Sequence, residues 1–375
     1  MKIAYIAHTR FPTEKAHGHQ VARVCEALTA LGHDVTLIAP GVHNEVRESY
    51  TTYYHLTHVF PLKHLPTKDA LLSPVIPGRF AMRCTMQSYG KELKQYLREN
   101  DFDLLYARSP LVLAPILASH MPVVLELHTL PRVRTQKFVK QCMHCKRIVC
   151  LTTPMKDELV SWGVNEEHIL VEGDAVDLES FSKVDAGAFP LNTNKPVVGY
   201  VGSLTTMDRI GKGVDLLIMA AAKHKNFFTF IVGGPESEAQ RYRNLAESLG
   251  LTKDDIRIEG PVPASKVPSA IAACDVCVYP APNSNHPFFR RDTSPLKLFE
   301  YLASGKQIVC ADILPVWDIL SKDTAHMVLP GNSDALASGI QEALQHPLDP
   351  KKGKAVVSNH TWKKRMERIT RSVSQ

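Results

Sequence analysis

Two doubly wound parallel α/β domains in tandem are what this sequence predicts, and three observations carry the prediction. The chain's 375 residues exceed what one ordinary hydrophobic core supports. Short runs rich in valine and isoleucine recur with helix-length stretches between them, apolar to both faces as in parallel strands covered by helices. The pattern is interrupted at residues 183–196, a turn-rich stretch short on periodicity. That break gives halves of similar size, 1–185 and 186–359, with a terminal helix near 360–375 expected to pack back on the first half.

Taken in order, the strands of the first half are 3–7, 35–39, 104–107, 123–127 and 148–151, and those of the second are 197–201, 228–232, 256–259, 276–279 and 308–311. In such sheets ligands bind at the carboxyl ends of the strands, so the loops there are the candidate sites. After the first strand comes Thr9 to Gln20, with Gly18 at the start of a helix expected over 21–31 and closed by Gly32. A glycine there lets backbone amides approach a phosphate or a sugar ring closely. The loop has no G-x-G-x-x-G and the second strand ends in Ala39-Pro40-Gly41 without an acid, which excludes a dinucleotide-binding site. Val123-Val124-Leu125-Glu126-Leu127-His128 places a histidine at a strand tip, directly before a basic segment. There its imidazole or backbone can hold a sugar hydroxyl, although a satisfied structural histidine is the commoner case.

The second half opens with strand, loop and helix again: Val201-Gly202-Ser203, then Asp208-Arg209-Ile210-Gly211, then Lys212-Gly213. Lys212 and Arg209 are suited to neutralising a diphosphate, where negative charge grows as a glycosidic bond breaks. The strand-end loop Glu259-Gly260-Pro261-Val262-Pro263 is a candidate for backbone recognition of a base at Val262. Asp292 to Gly305 then combines an acid, a turn at Ser294-Pro295 and a helix carrying Glu300. Proline at a first helical position needs no N–H. The free amides of Leu296 and Lys297 beside the positive helix end suit phosphate oxygens, and Glu300 can accept from a pair of sugar hydroxyls. The same segment read blandly is an amphipathic core helix, with Leu296, Phe299, Leu302 and Ala303 at helical spacing.

Composition narrows the remaining choices. Hydrophobic content of 44% with 22% charged residues describes a globular protein, and no apolar run reaches membrane-spanning length. The expectation is a cytoplasmic protein with no nucleic-acid partner. Cys142-Met143-His144-Cys145 and Cys274-Asp275-Val276-Cys277 suggest zinc, but both pairs sit in apolar periodic segments, so buried thiols and no metal are expected. The net charge of +6 is uneven. Lys63, Lys68, Arg79, Arg83, Lys91, Lys94 and Arg98 face only Asp69 and Glu92 across residues 61–98, and Arg132, Arg134, Lys137, Lys140, Lys146 and Arg147 have no acid among them. Solvated helix faces explain such runs; a surface for an anionic lipid headgroup or a phosphorylated acceptor is the alternative, at the inner membrane face.

Together these motifs resemble, along essentially the whole chain, the retaining glycosyltransferases of family 4. The resemblance rests on the loop ending at Gly18-His19, on Ala30-Leu31-Gly32-His33-Asp34-Val35, on His128, on Val201-Gly202-Ser203 leading to Lys212-Gly213, and on Asp292 to Gly305. It implies the GT-B fold, two Rossmann-like domains facing across a cleft, the first holding the acceptor and the second a nucleotide-sugar. Transfer of the sugar to an acceptor hydroxyl of a glycan, a lipid-linked molecule or a small molecule follows, without cofactor or metal and with a UDP-sugar favoured over a GDP-sugar. By the same resemblance His128, Asp292 and Lys212 are the catalytic residues. Gly18, Arg209, Lys212, Val262, Ser294, Leu296, Lys297 and Glu300 bind donor, and His19 and Arg132 bind acceptor. The chain departs from the family pattern at Asp292, usually glutamate, at Ser203, usually arginine, and at His19, usually glycine. A nucleotide-sugar 2-epimerase of the same fold and a non-catalytic sugar-nucleotide-binding homologue stay open as alternatives.

Overall fold

The computed structural model describes residues 1–73, 75–182, 184–206 and 210–374. The chain forms two compact units, one of Met1–Glu172 with Trp362–Gln375 and the other of Gly173–Thr361. The turn-rich stretch 183–196 therefore lies inside the second unit.

The first unit is built on seven parallel strands in the order β3-β2-β1-β4-β5-β6-β7. They are β1 (Lys2–Ile6), β2 (Asp34–Gly41), β3 (Leu62–Pro66), β4 (Leu104–Ala107), β5 (Val123–Leu127), β6 (Arg147–Cys150) and β7 (Ile169–Val171). The chain starts in the centre, winds outward through β2 and β3, and returns to the other side of β1 at β4. The strand order thus reverses between β1 and β4. Every residue of β4 and β5 is buried, which fits a sheet covered on both faces. The helix Gly78–Glu99 buries Ala81, Thr85, Tyr89, Leu93 and Leu97, one residue per turn along a single stripe. The helix Trp362–Ser374, whose buried residues include Met366 and Ile369, packs against the helix Ala16–Ala30.

Six parallel strands in the order β10-β9-β8-β11-β12-β13 form the second unit's sheet, with the reversal between β8 and β11. They are β8 (Val197–Val201), β9 (Phe228–Val232), β10 (Ile256–Glu259), β11 (Val276–Tyr279), β12 (Gln307–Ala311) and β13 (His326–Val328). Alternate residues feed two separate cores. Val198, Tyr200, Val276, Val278 and Val309 pack with one set, and Val197, Val201, Cys277, Tyr279, Ile308 and Cys310 with the other. Period two with both faces apolar is why these strands read as continuous hydrophobic runs.

Sequence periodicity missed β3, β7 and β13, all at or near sheet edges and all short or polar. β3 exposes Lys63 and His64, and β7 and β13 have three residues each. An edge strand buries less and is blunted by charge, so it lacks the apolar run that reveals a central strand.

Two helix starts differ from expectation. The first helix begins at Ala16, not at residue 21, so Gly18, His19 and Gln20 lie within its opening turns; it ends as expected at Gly32, whose φ is +81°. The helix Leu296–Ser304 begins one residue after Pro295, which is its N-cap with an extended ψ of 110°, and Gly305 closes it at φ +69°. Seven of the eight cysteines are buried, Cys84 being exposed, and all are free thiols. Among the described residues no helix is long and apolar enough to cross a membrane.

Candidate active site

In the second unit the strands part at the reversal point. β8 and β11 pair at Val198 and Gly199, and beyond them the hydroxyl of Tyr301 bonds both backbone groups of Val201, accepting from N at 3.0 Å and donating to O at 3.3 Å. This ties the helix Leu296–Ser304 to the carboxyl end of β8. Gly202 follows with φ +137°, and a Cβ there would lie 3.0 Å from Cε and 3.1 Å from Nζ of Lys297. The Lys297 side chain therefore runs beneath the strand end. It donates to the Tyr200 hydroxyl, and its ammonium sits 3.8 Å from the centre of the Tyr200 ring and 5.7 Å from that of Tyr279.

Lys212 reaches the same electrostatic neighbourhood from the loop after β8. Its backbone N–H donates to Leu204 O at 3.1 Å, and Gly213 beside it takes φ +80° where a Cβ would meet Pro280 O at 1.8 Å. Only glycine permits that approach of two strand-end loops. Lys212 Nζ lies 5.4 Å from the Phe288 ring centre. Burial pulls the Lys212 ammonium down to about 8. Burial, and next the positive charge of Lys212, hold Lys297 well below the usual lysine range, with Glu300 opposing them. Glu300 is itself pushed up to about 7 by burial, against the pull of Lys297. A negatively charged ligand beside these lysines removes the penalty that burial and mutual repulsion place on their charged forms. The first amides of the helix have no intrahelical acceptor, and Pro295 offers no side-chain cap.

The other donor-side candidates are held as follows. Asp292 is buried, and Arg291 donates to both of its oxygens at 2.6 and 3.3 Å. The Ser294 hydroxyl accepts from Asp174 N at 2.9 Å. Val262 is half-buried against the core below the loop after β10. Arg209, with Asp208, lies outside the described residues. Sequence reading assigned Lys297 only a backbone amide; its register with buried Tyr301 one turn later was the available signal that the side chain turns inward.

In the first unit His128 stands at the tip of β5. Its Nε2 lies 2.6 Å from Glu126 Oε1. Burial first, then the nearby Arg108 charge, lowers the imidazole to about 4, against the pull of Glu126. The ring is neutral at neutral pH, so Nε2–H donates to Glu126 and Nδ1 is left as an acceptor. Glu126 is wholly buried and also receives the Tyr106 hydroxyl and Arg365, which approaches its two oxygens at 3.2 Å each. Burial alone would raise this carboxyl, but Arg365, His128 and Tyr106 outweigh it and hold it well below the usual range. His8 and His17 complete the cluster. His8 is lowered to about 3 by burial, Arg108, His17 and His128, and His17 to about 4 by burial and Arg108. Arg108 is fixed by Gln20, whose Oε1 accepts from Nη2 at 2.5 Å and Nε at 3.1 Å.

Gly18 serves packing, since a Cβ there would meet the Tyr54 hydroxyl at 2.3 Å and Thr13 Cγ2 at 2.5 Å. His19 is half-buried with its ring 6.3 Å from that of Tyr54, and Arg132 is exposed in the loop after β5. His8, Arg108, Gln20, Glu126 and Arg365 were not singled out from sequence. A lone glutamate inside an otherwise apolar strand was the one signal, because a buried charge requires a partner. Among the described residues no group of three or more histidine, cysteine or acidic side chains is arranged to hold a metal.

The two parallel sheets, each with a reversal in strand order, define a protein of two Rossmann-like units. The chain matches the family described as Glycosyl transferases group 1 over residues 195–346 and Glycosyltransferase Family 4 over residues 18–180. It belongs to these family 4 (group 1) glycosyltransferases and has their GT-B fold. A GDP-mannose-dependent alpha-mannosyltransferase of Corynebacterium glutamicum is 23% identical over 305 residues, covering 75% of this chain and 67% of the relative. Among solved structures, sucrose-phosphate synthase from Thermosynechococcus elongatus superposes with a TM-score of 0.76 at 18% identity, covering 100% of this chain and 99% of the other. Anabaena HepE in complex with UDP-glucose superposes with a TM-score of 0.72 at 17% identity, covering 100% and 99%.

Proposed function

We propose that the protein is a retaining glycosyltransferase that moves a sugar from a nucleoside diphosphate sugar, favouring a UDP-sugar, to an acceptor hydroxyl in glycan, polysaccharide or glycolipid synthesis. The observation that carries this reading is a pair of lysines, half-buried Lys212 and buried Lys297, the charge of the first disfavouring that of the second, beside the start of the helix Leu296–Ser304, which has no side-chain cap. Glu300 and the Tyr200 and Tyr279 rings offset part of that charge, and a bound anion would offset the rest; a diphosphate matches two ammonium groups and a helix end. Glu300 takes the ribose hydroxyls, Val262 borders the base, and Ser294 supports the phosphate turn. Gly18 belongs to the donor side by family resemblance, His19 and Arg132 to the acceptor side.

The bond from the anomeric carbon to the diphosphate oxygen breaks with its electron pair leaving on the diphosphate. Lys212 and Lys297 stabilise that growing charge. The acceptor oxygen bonds the same face of the anomeric carbon and its proton passes to the departing diphosphate. His128, neutral, accepts a sugar hydroxyl through Nδ1, and Asp292 faces the cationic character of the sugar. The complexes of HepE with UDP and UDP-glucose support nucleotide-sugar binding, and the mannosyltransferase relative makes GDP-mannose the competing donor.

The test is a panel of UDP-, GDP- and ADP-sugars read by thermal shift, because a ligand that binds only the folded state raises its stability. The stabilising donor is then incubated with acceptor and the anomeric configuration read by NMR. Product of inverted configuration refutes the retaining mechanism, and isomerised donor without acceptor identifies an epimerase. A donor that binds with neither transfer nor slow hydrolysis identifies a non-catalytic homologue.

A further inference from the structure

A cluster of large apolar side chains stands in water on the first unit. Between Ala70 and the first turns of the helix Gly78–Glu99, Leu71, Leu72, Val75, Ile76, Phe80 and Met82 are all exposed, Leu72 at 63% and Val75 at 86%. Isolated exposed hydrophobics need no explanation, but six within twelve residues of one another in the chain concentrate apolar surface on one segment, the pattern of a surface that something covers. The helix does not use them in its own packing, since its buried stripe is Ala81, Thr85, Tyr89, Leu93 and Leu97.

The segment is held in place from below. Ala70 N donates to Thr85 Oγ1 at 3.1 Å, Lys68 N to Ser88 Oγ at 3.0 Å, and Asp69 accepts from Leu71 N at 3.2 Å and His43 N at 3.0 Å. These bonds fix residues 68–71, where the apolar stretch begins, against the helix. Basic residues border it, and the Arg79 guanidinium lies 4.9 Å from the Phe80 ring centre. Arg79 and Arg83 are exposed on the same turns, and acids are scarce over residues 61–98.

We propose that this patch docks on an anionic lipid bilayer, with Leu71, Leu72, Val75, Ile76 and Phe80 entering the headgroup–acyl boundary and Arg79 and Arg83 pairing with lipid phosphates. Exposed apolar side chains with cations beside them are the combination that an interfacial bilayer site requires, since each component alone gives weak attachment. Charge selects this occupant over a second copy of the chain, in which Arg79 and Arg83 would face their own like charges across the contact.

The test is co-sedimentation of the full chain with phosphatidylcholine vesicles, with and without phosphatidylglycerol, at low and high salt. Binding is expected to the anionic vesicles and to weaken as salt screens the attraction. The double variant Arg79→Gln with Arg83→Gln should bind roughly thirtyfold less, at about 1 kcal/mol per basic residue near the surface. Leu72→Asn with Val75→Asn should abolish it, and Val75→Trp should give an indole emission that shifts to the blue and is quenched by brominated lipid. All these positions are exposed and none is among the residues proposed to bind donor or acceptor, so transfer to a soluble acceptor should be unchanged. Absence of binding to anionic vesicles at low salt overturns the proposal, as do equal binding by the variants and self-association in sedimentation velocity that Leu72→Asn with Val75→Asn removes. Because the readout is vesicle binding, its failure leaves the proposed transfer reaction standing.

Discussion

Glu126→Gln isolates the energetics that hold His128. The wild-type carboxylate is wholly buried and accepts from Tyr106, from His128 Nε2 at 2.6 Å and from Arg365 at 3.2 Å, while Arg365 is only 1% exposed. The amide keeps the shape and one acceptor oxygen, but it removes the negative charge and turns two N–H donors toward groups that also donate. Removing one partner of a buried ion pair leaves an uncompensated charge, at a cost of about 3–5 kcal/mol. For a unit of this size that lowers its calorimetric transition by roughly 6–20 °C, at about 2–4 °C per kcal/mol. Arg365→Met alone should cost a similar amount. The double variant Glu126→Leu with Arg365→Met should cost much less than the sum, because no unpaired charge remains. Additive single effects, or a loss below about 1 kcal/mol for Glu126→Gln, would refute the assignment of Arg365 as the partner. The tautomer argument has its own readout: nitrogen-resolved NMR of His128 should show Nε2–H in the wild type and a mixture in Glu126→Gln. An Nδ1–H form in the wild type contradicts the geometry.

Other expectations follow from the same structure. Lys212→Ala should reduce turnover about a hundredfold if the lysine stabilises charge developing in the transition state, and unchanged turnover removes it from that role. UDP binding near the Lys212 value of about 8 should take up protons, since the diphosphate draws that value back toward 10.5. Calorimetric titration in buffers of different ionisation enthalpy measures the uptake, and a buffer-independent heat counts against it. His8, His17 and His128 titrate near 3, 4 and 4 in the folded state, below their ordinary value of 6.5. The unfolded chain therefore binds protons that the folded chain refuses, so stability is full above about pH 6.5 and declines as pH falls from there toward the folded values. A transition temperature flat from neutrality to about pH 5 would contradict this. Gly213→Ala should destabilise the second unit by more than about 1 kcal/mol, because φ is +80° and the Cβ would strike Pro280 O. Donor affinity should fall with it; a variant as stable as the wild type would show that the loop yields freely.

The sequence by itself determined the two parallel α/β units and the strand-end loops where the candidate site residues lie. Strand period, apolar on both faces, is a local property, and β1, β8 and β11 are each legible from a handful of adjacent residues. Loops at strand ends are likewise fixed by order along the chain, which is why His128, Lys212 and the turn before Leu296 could be found without coordinates. Tertiary structure alone decided the partners. Arg365 meets Glu126 from 239 residues away, and Lys297 turns under Gly202 to reach Tyr200. Those meetings depend on sheet order and on which helix crosses which strand end, and no local period encodes them. The same reason explains the missed edge strands: β3 and β13 exist because a neighbouring strand offers free backbone groups, while their own side chains are too polar or too few to announce them.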